Sequence, residues 1–463
     1  MATRTLLRGA HVLTMDDKQF SNPADILIED GVIIDVDEQI SSDGADVVEL
    51  SGSIVLPGLV DSHVHLWQSV VRGLAAETWG REYFGLVHPL SGRLRADDMY
   101  GATYGGAIEL LLTGTTTVFD FCHATNSREH AESSLNALAD SGIRGLFGFC
   151  FRHRPESPVT GFDTLDERAA VLESLVEKWK DHDRVGLGVA LNNIDHVEID
   201  VHKQEVSVAR QFGLRQSLHS NLPGQIALSA ENGLLGEDLI WVHAATASDE
   251  EMSLLAARGG SLSITPEVEA ALMGMSSAAP RAKRHHVPVA VGTDVPAGVG
   301  GNLFAQLRIA RATTRTVDVQ FEHLQNRPGA RTSTHPSYDS MDLLRMATID
   351  GARVLGLEDH IGTISPGKQA DLLVVSTEPF GLSGGTAADF LLYQATARHL
   401  THVFVGGEVV VRDGRHVSAD MDEVRRRLDD TRDWILGLAP GSEWPTISAE
   451  MRARYEAGQG KAT

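Results

Sequence analysis

"GTTTVFDFCHATNSREHAESSLNALADSGIRGLFGFCF", residues 114–151, reads as strand, helix, strand. The outer runs, "GTTTVFDFC" (114–122) and "IRGLFGFCF" (143–151), are short, apolar and rich in β-branched or aromatic side chains. Strands buried on both faces have that texture. Between them "REHAESSLNALADSG" (128–142) spaces its apolar residues for a helix face, and Gly142 supplies the stop. A strand returned through a helix to the next strand is the unit of a parallel sheet. The fold depends on how often the chain repeats that unit.

Working outward, a helix is predicted over about 164–181, and strands at 184–193, 214–220, 239–244, 260–265 and 287–294. Helical stretches such as "DEEMSLLAARG" (249–259) separate them, and the apolar run at 54–60 precedes them. Eight strands alternating with helices predict an α/β fold, a (β/α)8 TIM-like barrel, here over 57–360. Residues 1–56 read instead as short β-strands with an "EDG" hairpin turn, and the same texture returns at 361–376 and 400–415. The expectation is a small composite β-sandwich domain built from both chain ends, residues 1–56 and 361–420. A C-terminal helical extension, 421–463, would begin with the amphipathic "MDEVRRRLDDTRDWILGL".

Composition narrows the partners. With 463 residues the chain is long enough for one large unit and a smaller one. A formal net charge of −23 argues against nucleic acid or an anionic membrane surface, since both need a basic face. Only Cys122 and Cys150 are present, too few for a disulfide framework, and a reducing cytoplasm is expected. The first residues carry no apolar signal core, and no apolar run approaches the ~18 residues of a membrane helix. A small-molecule substrate is the expected partner, with a homo-oligomer as the assembly.

In such a barrel the active site lies at the carboxyl ends of the strands. Strand 1 runs into "DSHVH", placing His63 and His65 on one side of an extended chain. Strand 4 ends with Asn192 and Asn193, strand 5 with His219, strand 6 with His243 and strand 8 with Asp294. One or two histidines at strand ends would mean little in a chain that has 20; the joint pattern is the signal. Imidazoles with a carboxylate suit one divalent ion, zinc first, with cobalt, manganese or iron as alternatives. Such an ion brings the pKa of a bound water towards ~7, and Asp294 is placed to accept its proton.

At these residues the chain resembles the amidohydrolase superfamily, in the branch of cytosine deaminase, triazine hydrolases and adenosylhomocysteine deaminases. "PGLVDSHVH" (57–65), "GTTTVFD" (114–120), "VHAATASDEE" (242–251), "VGTD" (291–294) and "IGTISPGKQADLLVV" (361–375) carry the resemblance, which covers residues 1 to about 415. It implies a metal held by His63, His65, His219 and Asp294, and a hydrogen bond from His243 to the attacking water or the substrate. The sequence departs from that branch in two places. Its deaminases carry a glutamate three residues after the strand-5 histidine, where this chain has Leu222. Many relatives also have a histidine where Asn192 stands. A finer resemblance, to the phenylurea and molinate hydrolases, would suit those changes.

The favoured expectation is therefore a metal-dependent hydrolase of a C–N or C–S bond in a small apolar urea, carbamate or thiocarbamate. The alternative is a deaminase or dechlorinase of an aminated heterocycle. Glu267, just past strand 7, is the candidate substitute proton carrier; its other reading is a helix-start carboxylate after Pro266. Trp67 and Gln68 are candidates for a substrate wall and a polar contact, with core packing the other reading of Trp67. His123, Asn192, Arg152 and His153 are further residues placed to reach a substrate.

Overall fold

The structure, a computed structural model, describes residues 3–151, 162, 164–324, 336–382 and 384–437. Arg152 and His153 lie outside the described residues. Eight parallel strands form one sheet in sequential order, and we number them β1 to β8. They are β1 (Leu59–Val64), β2 (Thr115–Cys122), β3 (Arg144–Cys150), β4 (Val185–Ala190), β5 (Gln216–Ser220), β6 (Leu239–His243), β7 (Ser261–Ile264) and β8 (Val289–Val291). The strands β1, β2, β5, β6, β7 and β8 are buried along their whole length. That is why they read as apolar runs rather than alternating ones.

The ring closes where β1 meets the residue just past β8. Asp294 N–H donates to His63 O at 2.9 Å, and His65 N–H donates to Asp294 O at 2.8 Å. The outer helices begin and end as the sequence predicts. Leu165–Trp179 and Asp249–Arg258 start on capping boxes, Thr164 with Glu167 and Ser248 with Glu251, and Arg128–Ser141 stops at Gly142.

A second, nine-stranded sheet takes strands from both chain ends. Arg4–Val12, Ala24–Glu29, Val32–Asp37, Asp46–Glu49 and Ser53–Pro57 join Leu372–Ser376, Leu400–Val405, Glu408–Arg412 and Arg415–His416. Its own apolar core includes Leu7, Ile26, Ile33, Val55, Val374 and Phe404. The helix Met421–Leu436 follows. Among the described residues no helix is long and apolar enough to cross a membrane.

One sequence expectation needs correction. The run at 54–60 is not the first barrel strand. Ser53–Pro57 pairs antiparallel with Leu372–Ser376 in the small sheet, and the barrel strand starts only at Leu59. Gly58 separates the two: a Cβ there would lie 2.0 Å from Thr116 Oγ1. Both strands are fully buried, so hydrophobicity alone shows one continuous run. The shift places His63 inside β1 rather than beyond its end.

Candidate metal centre and active site

His63, His65, His219 and Asp294 converge at the carboxyl end of the barrel, where one ligand atom from each lies within 4.8 Å of the others. The ring centroids of His63 and His65 are 4.7 Å apart, and those of His63 and His219 are 4.9 Å apart. Asp294 Oδ1 sits 3.5 Å from His63 Nε2 and 3.2 Å from His65 Nε2. Each of the four is at most 9% exposed. His65 Nδ1 donates to the Phe121 carbonyl at 2.7 Å, which leaves the Nε2 lone pair turned to the centre.

These residues fit a divalent metal. His63 is completely buried, yet neither ring nitrogen has a hydrogen-bond partner, an arrangement that is costly unless an ion takes the lone pair. Burial pushes His63 down to about 4 and His219 well below the usual imidazole range, so both rings are neutral at neutral pH, the form a metal needs. Burial alone would raise Asp294, but the His63 and His65 imidazoles beside it hold its carboxyl well below the usual range.

The surroundings brace this cluster. Asp61 Oδ1 accepts from the backbone of His63 at 3.2 Å and of Thr293 at 3.1 Å, and Oδ2 accepts the Thr293 hydroxyl at 2.5 Å. One carboxylate thus ties β1 to the end of β8. A Cβ on Gly292 would lie 2.4 Å from His63 O, so only glycine allows that approach. His243 and Asp294 both have φ near 68°, a left-handed conformation uncommon for either residue. It turns their side chains inward at the strand ends.

Behind Asp294 runs a polar relay. Thr265 Oγ1 donates to Asp294 Oδ2 at 3.1 Å and accepts from His243 Nδ1 at 3.0 Å. His243 Nε2 lies 3.8 Å from the same carboxylate oxygen. Glu269 Oε1 is 3.6 Å from His243 Nδ1 and accepts from Thr265 N at 2.9 Å. Burial would lower His243, but the carboxylates of Glu269 and Asp294 together outweigh it and the imidazole is raised. Sequence reading missed Thr265 and Glu269. The signal was in "SITPEVEAA", where the chain coils into a π-turn over Val268–Leu272 and carries Glu269, not Glu267, to the histidine.

The cluster lies against a cavity of about 1580 Å³. His123 and Asn192 line it. The other substrate candidates lie elsewhere. Trp67 and Gln68 are fully buried behind His65, because the chain turns there into a short 3-10 helix, Leu66–Val71, that winds both into the core. Gln68 Nε2 donates to the Tyr83 hydroxyl at 2.7 Å. Glu267 Oε2 accepts from Gln306 Nε2 at 2.8 Å and stays off the cavity wall. Leu222 does face the cavity, 53% exposed, and Phe84 and Val201 are on the same lining.

The sequence matches the amidohydrolase family over residues 54–410. The chain belongs to that family. It is 26% identical over 456 residues to a 5-methylthioadenosine/S-adenosylhomocysteine deaminase of Syntrophobacter fumaroxidans, covering 91% of this chain and 96% of the relative. A 5'-deoxyadenosine deaminase of Methanothermobacter thermautotrophicus is 26% identical over 416 residues, 84% of this chain and 89% of the relative. Among solved structures, a zinc-bound adenosine deaminase from Xanthomonas campestris superposes with a TM-score of 0.81 at 23% identity, covering 94% of this chain and 99% of that one. A triazine hydrolase variant gives 0.81 at 21%, covering 93% and 99%. At such identities the superpositions establish the barrel and its small domain. The protein is a metal-dependent amidohydrolase acting on carbon–nitrogen bonds other than peptide bonds.

Proposed function

We propose that the protein is a hydrolytic deaminase of an aminated heterocycle, with purine nucleosides as the first candidates. The observation that carries the reading is the His63, His65, His219 and Asp294 cluster set against a cavity and backed by Thr265 and His243. The deaminase names of its relatives support it. Zinc is the first choice of metal, with cobalt, manganese and iron as alternatives. When bound, the ion supplies Lewis acidity that polarises the electrophile and acidifies water.

The chain's own groups then move one proton. Asp294 Oδ1 faces the ligand histidines, while Oδ2 is held by Thr265 and lies nearest His243. Asp294 accepts the proton released by water and returns it to the departing amine, so the balance is R–NH2 plus water giving R–OH plus ammonia. His243, kept charged more readily by Glu269, stabilises the oxygen that develops negative charge.

A second reading, hydrolysis of an N-substituted urea, carbamate or thiocarbamate, is favoured by Leu222. An apolar side chain carries no proton, and a stabilised leaving group needs less help from one. Metal-loaded enzyme should be offered adenosine, 5'-methylthioadenosine and cytosine beside phenylurea and thiocarbamate panels, with ammonia, aniline and thiol release measured. Ammonia from the heterocycles is the expected result. Aniline or thiol release without ammonia would establish the second reading instead.

A further inference from the structure

On the cavity wall opposite the relay, Asn192 and Glu205 form a pair that the proton chemistry above does not use. Asn192 follows β4, and Glu205 lies on the next helix, Ile199–Gln211. Both line the cavity. Glu205 is 1% exposed and grips Asn192 twice: Oε2 accepts the Asn192 backbone N–H at 3.2 Å, and Oε1 accepts from Nδ2. Two other buried groups flank it. His202 Nδ1 stands 3.9 Å from Oε2 and has no hydrogen-bond partner. The Arg168 guanidinium donates to the carbonyls of Thr125 at 3.2 Å and Cys150 at 3.1 Å. Burial pushes Glu205 up to about 7, against which the Asn192 hydrogen bonds and the Arg168 charge favour the ionised form.

Above about pH 7 Glu205 is a carboxylate, which can only accept, so the amide turns its NH2 towards it. Flipping it would set Oδ1 against Oε1, two acceptors in contact with no proton between them. The Asn192 side-chain oxygen is therefore the end left over. Asn192 is half-buried on the cavity lining, so that oxygen is open to the cavity. Asn221, after β5 on the same lining, has a side-chain oxygen that is buried and unpartnered. Two side-chain oxygens on this lining, those of Asn192 and Asn221, thus await a donor.

We propose that Glu205 locks the Asn192 amide with its carbonyl oxygen facing the cavity, so that this wall selects substrates carrying an N–H or O–H donor on the face turned away from the relay. Glu205 is a positioning residue in this scheme and Asn192 reads the substrate. The class of substrate is then a heterocycle or ureide with a free ring N–H, a second amino group or a sugar hydroxyl, and its N- or O-methylated counterpart is refused. The inference rests on the hydrolase reading of the site but not on which bond is cut.

The test uses full-length, metal-loaded enzyme and matched pairs that differ by one methyl group. Suitable pairs are guanine with 1-methylguanine and 9-methylguanine, cytosine with 1-methylcytosine, adenosine with 2'-O-methyladenosine, and N-phenylurea with N-methyl-N-phenylurea. The wild type should prefer one donor-bearing member by ~10² or more in kcat/KM, because refusing a missing hydrogen bond in a site built for it is worth up to 10⁴–10⁵. Asn192→His, which replaces the acceptor with a ring able to donate, should reduce that preference to a few-fold while metal content stays at one per chain. Glu205→Gln can donate its own amide to Asn192 Oδ1 and release the lock. The loss there should fall mainly on KM for donor-bearing substrates, an effect that a purely structural role would not restrict to them. Equal rates for both members of every pair in the wild type, or full discrimination surviving Asn192→His, would overturn the proposal. Discrimination confined to the urea pair would uphold it and overturn the deaminase reading alone.

Discussion

At the scale of single residues, the centre depends on which groups are neutral and which are charged. Asp294 keeps its charge despite its burial because the imidazoles of His63 and His65 lie against it. Asp294→Asn preserves shape but cannot take up a proton, so turnover should fall by ~10²–10⁴ with the fold intact, read as kcat beside a circular dichroism spectrum. Near-native kcat would place the base elsewhere. The two buried histidines set the acid limit. Burial holds His63 at about 4 against an ordinary 6.5, and His219 is shifted the same way. The unfolded chain therefore binds more protons than the folded one between those values, and stability contributed by the neutral rings is present above pH 6.5 and lost as pH falls towards 4. Protons also compete with the ion for the same lone pairs. Metal release, followed by a chelating dye, should rise and melting temperature should drop across that window. A metal content and melting temperature flat from pH 7 to pH 4 would contradict the ligand assignment.

At the scale of elements, the strand ends were readable because a barrel gathers them at one rim and polar residues there interrupt apolar runs. His63, His65, His219, His243 and Asp294 all stood out on that ground. What could not be read was how each chain turns after its strand. Trp67 and Gln68 look like rim residues in sequence, but a short 3-10 helix takes them into the core. Glu267 and Glu269 differ by two positions, and only the π-turn decides which reaches His243. The Asn192–Glu205 pair spans two elements and leaves no local motif. Gly292 is of the same kind, since its necessity comes from β1 lying against it. Gly292→Ala would put a methyl group 2.4 Å from His63 O and force β1 and β8 apart where the ligands sit. The variant should fold with its metal affinity lowered by ~10–100-fold, the range typical of disturbing what supports the ligands. Unchanged affinity in a metal-competition titration would mean that β1 can yield without moving His63.

At the scale of the whole molecule, the two segments that build the small sheet, within 4–57 and 372–416, meet beneath the barrel, at the end away from the metal cluster. Arg144 opens β3, and its guanidinium makes a bidentate pair with Asp371, Nε to Oδ2 at 2.8 Å and Nη2 to Oδ1 at 3.0 Å. Asp371 immediately precedes the small-sheet strand Leu372–Ser376. It also accepts the Gly406 N–H at 2.7 Å, and its carbonyl accepts the Gly58 N–H at 2.8 Å. A single residue therefore joins a barrel strand and the C-terminal hairpin through its carboxylate, and the point where the first strand leaves the small sheet through its carbonyl. Both side chains are nearly inaccessible, at 8% and 2% exposure. Removing one partner leaves the other charge buried and unpaired, which costs ~3–5 kcal/mol. Asp371→Ala should thus lower the urea midpoint substantially while the purified protein still binds one metal and keeps its KM, because the pair lies at the opposite end of the strands from His63 and Asp294. Loss of metal in that variant under native conditions would show that the small sheet holds the rim in place as well as the base. A midpoint within error of the wild type would show that the joint is carried instead by the apolar contacts of Leu373 and Leu400 against Gly114, where Leu373 Cδ1 already lies 3.0 Å from the position of an added Cβ.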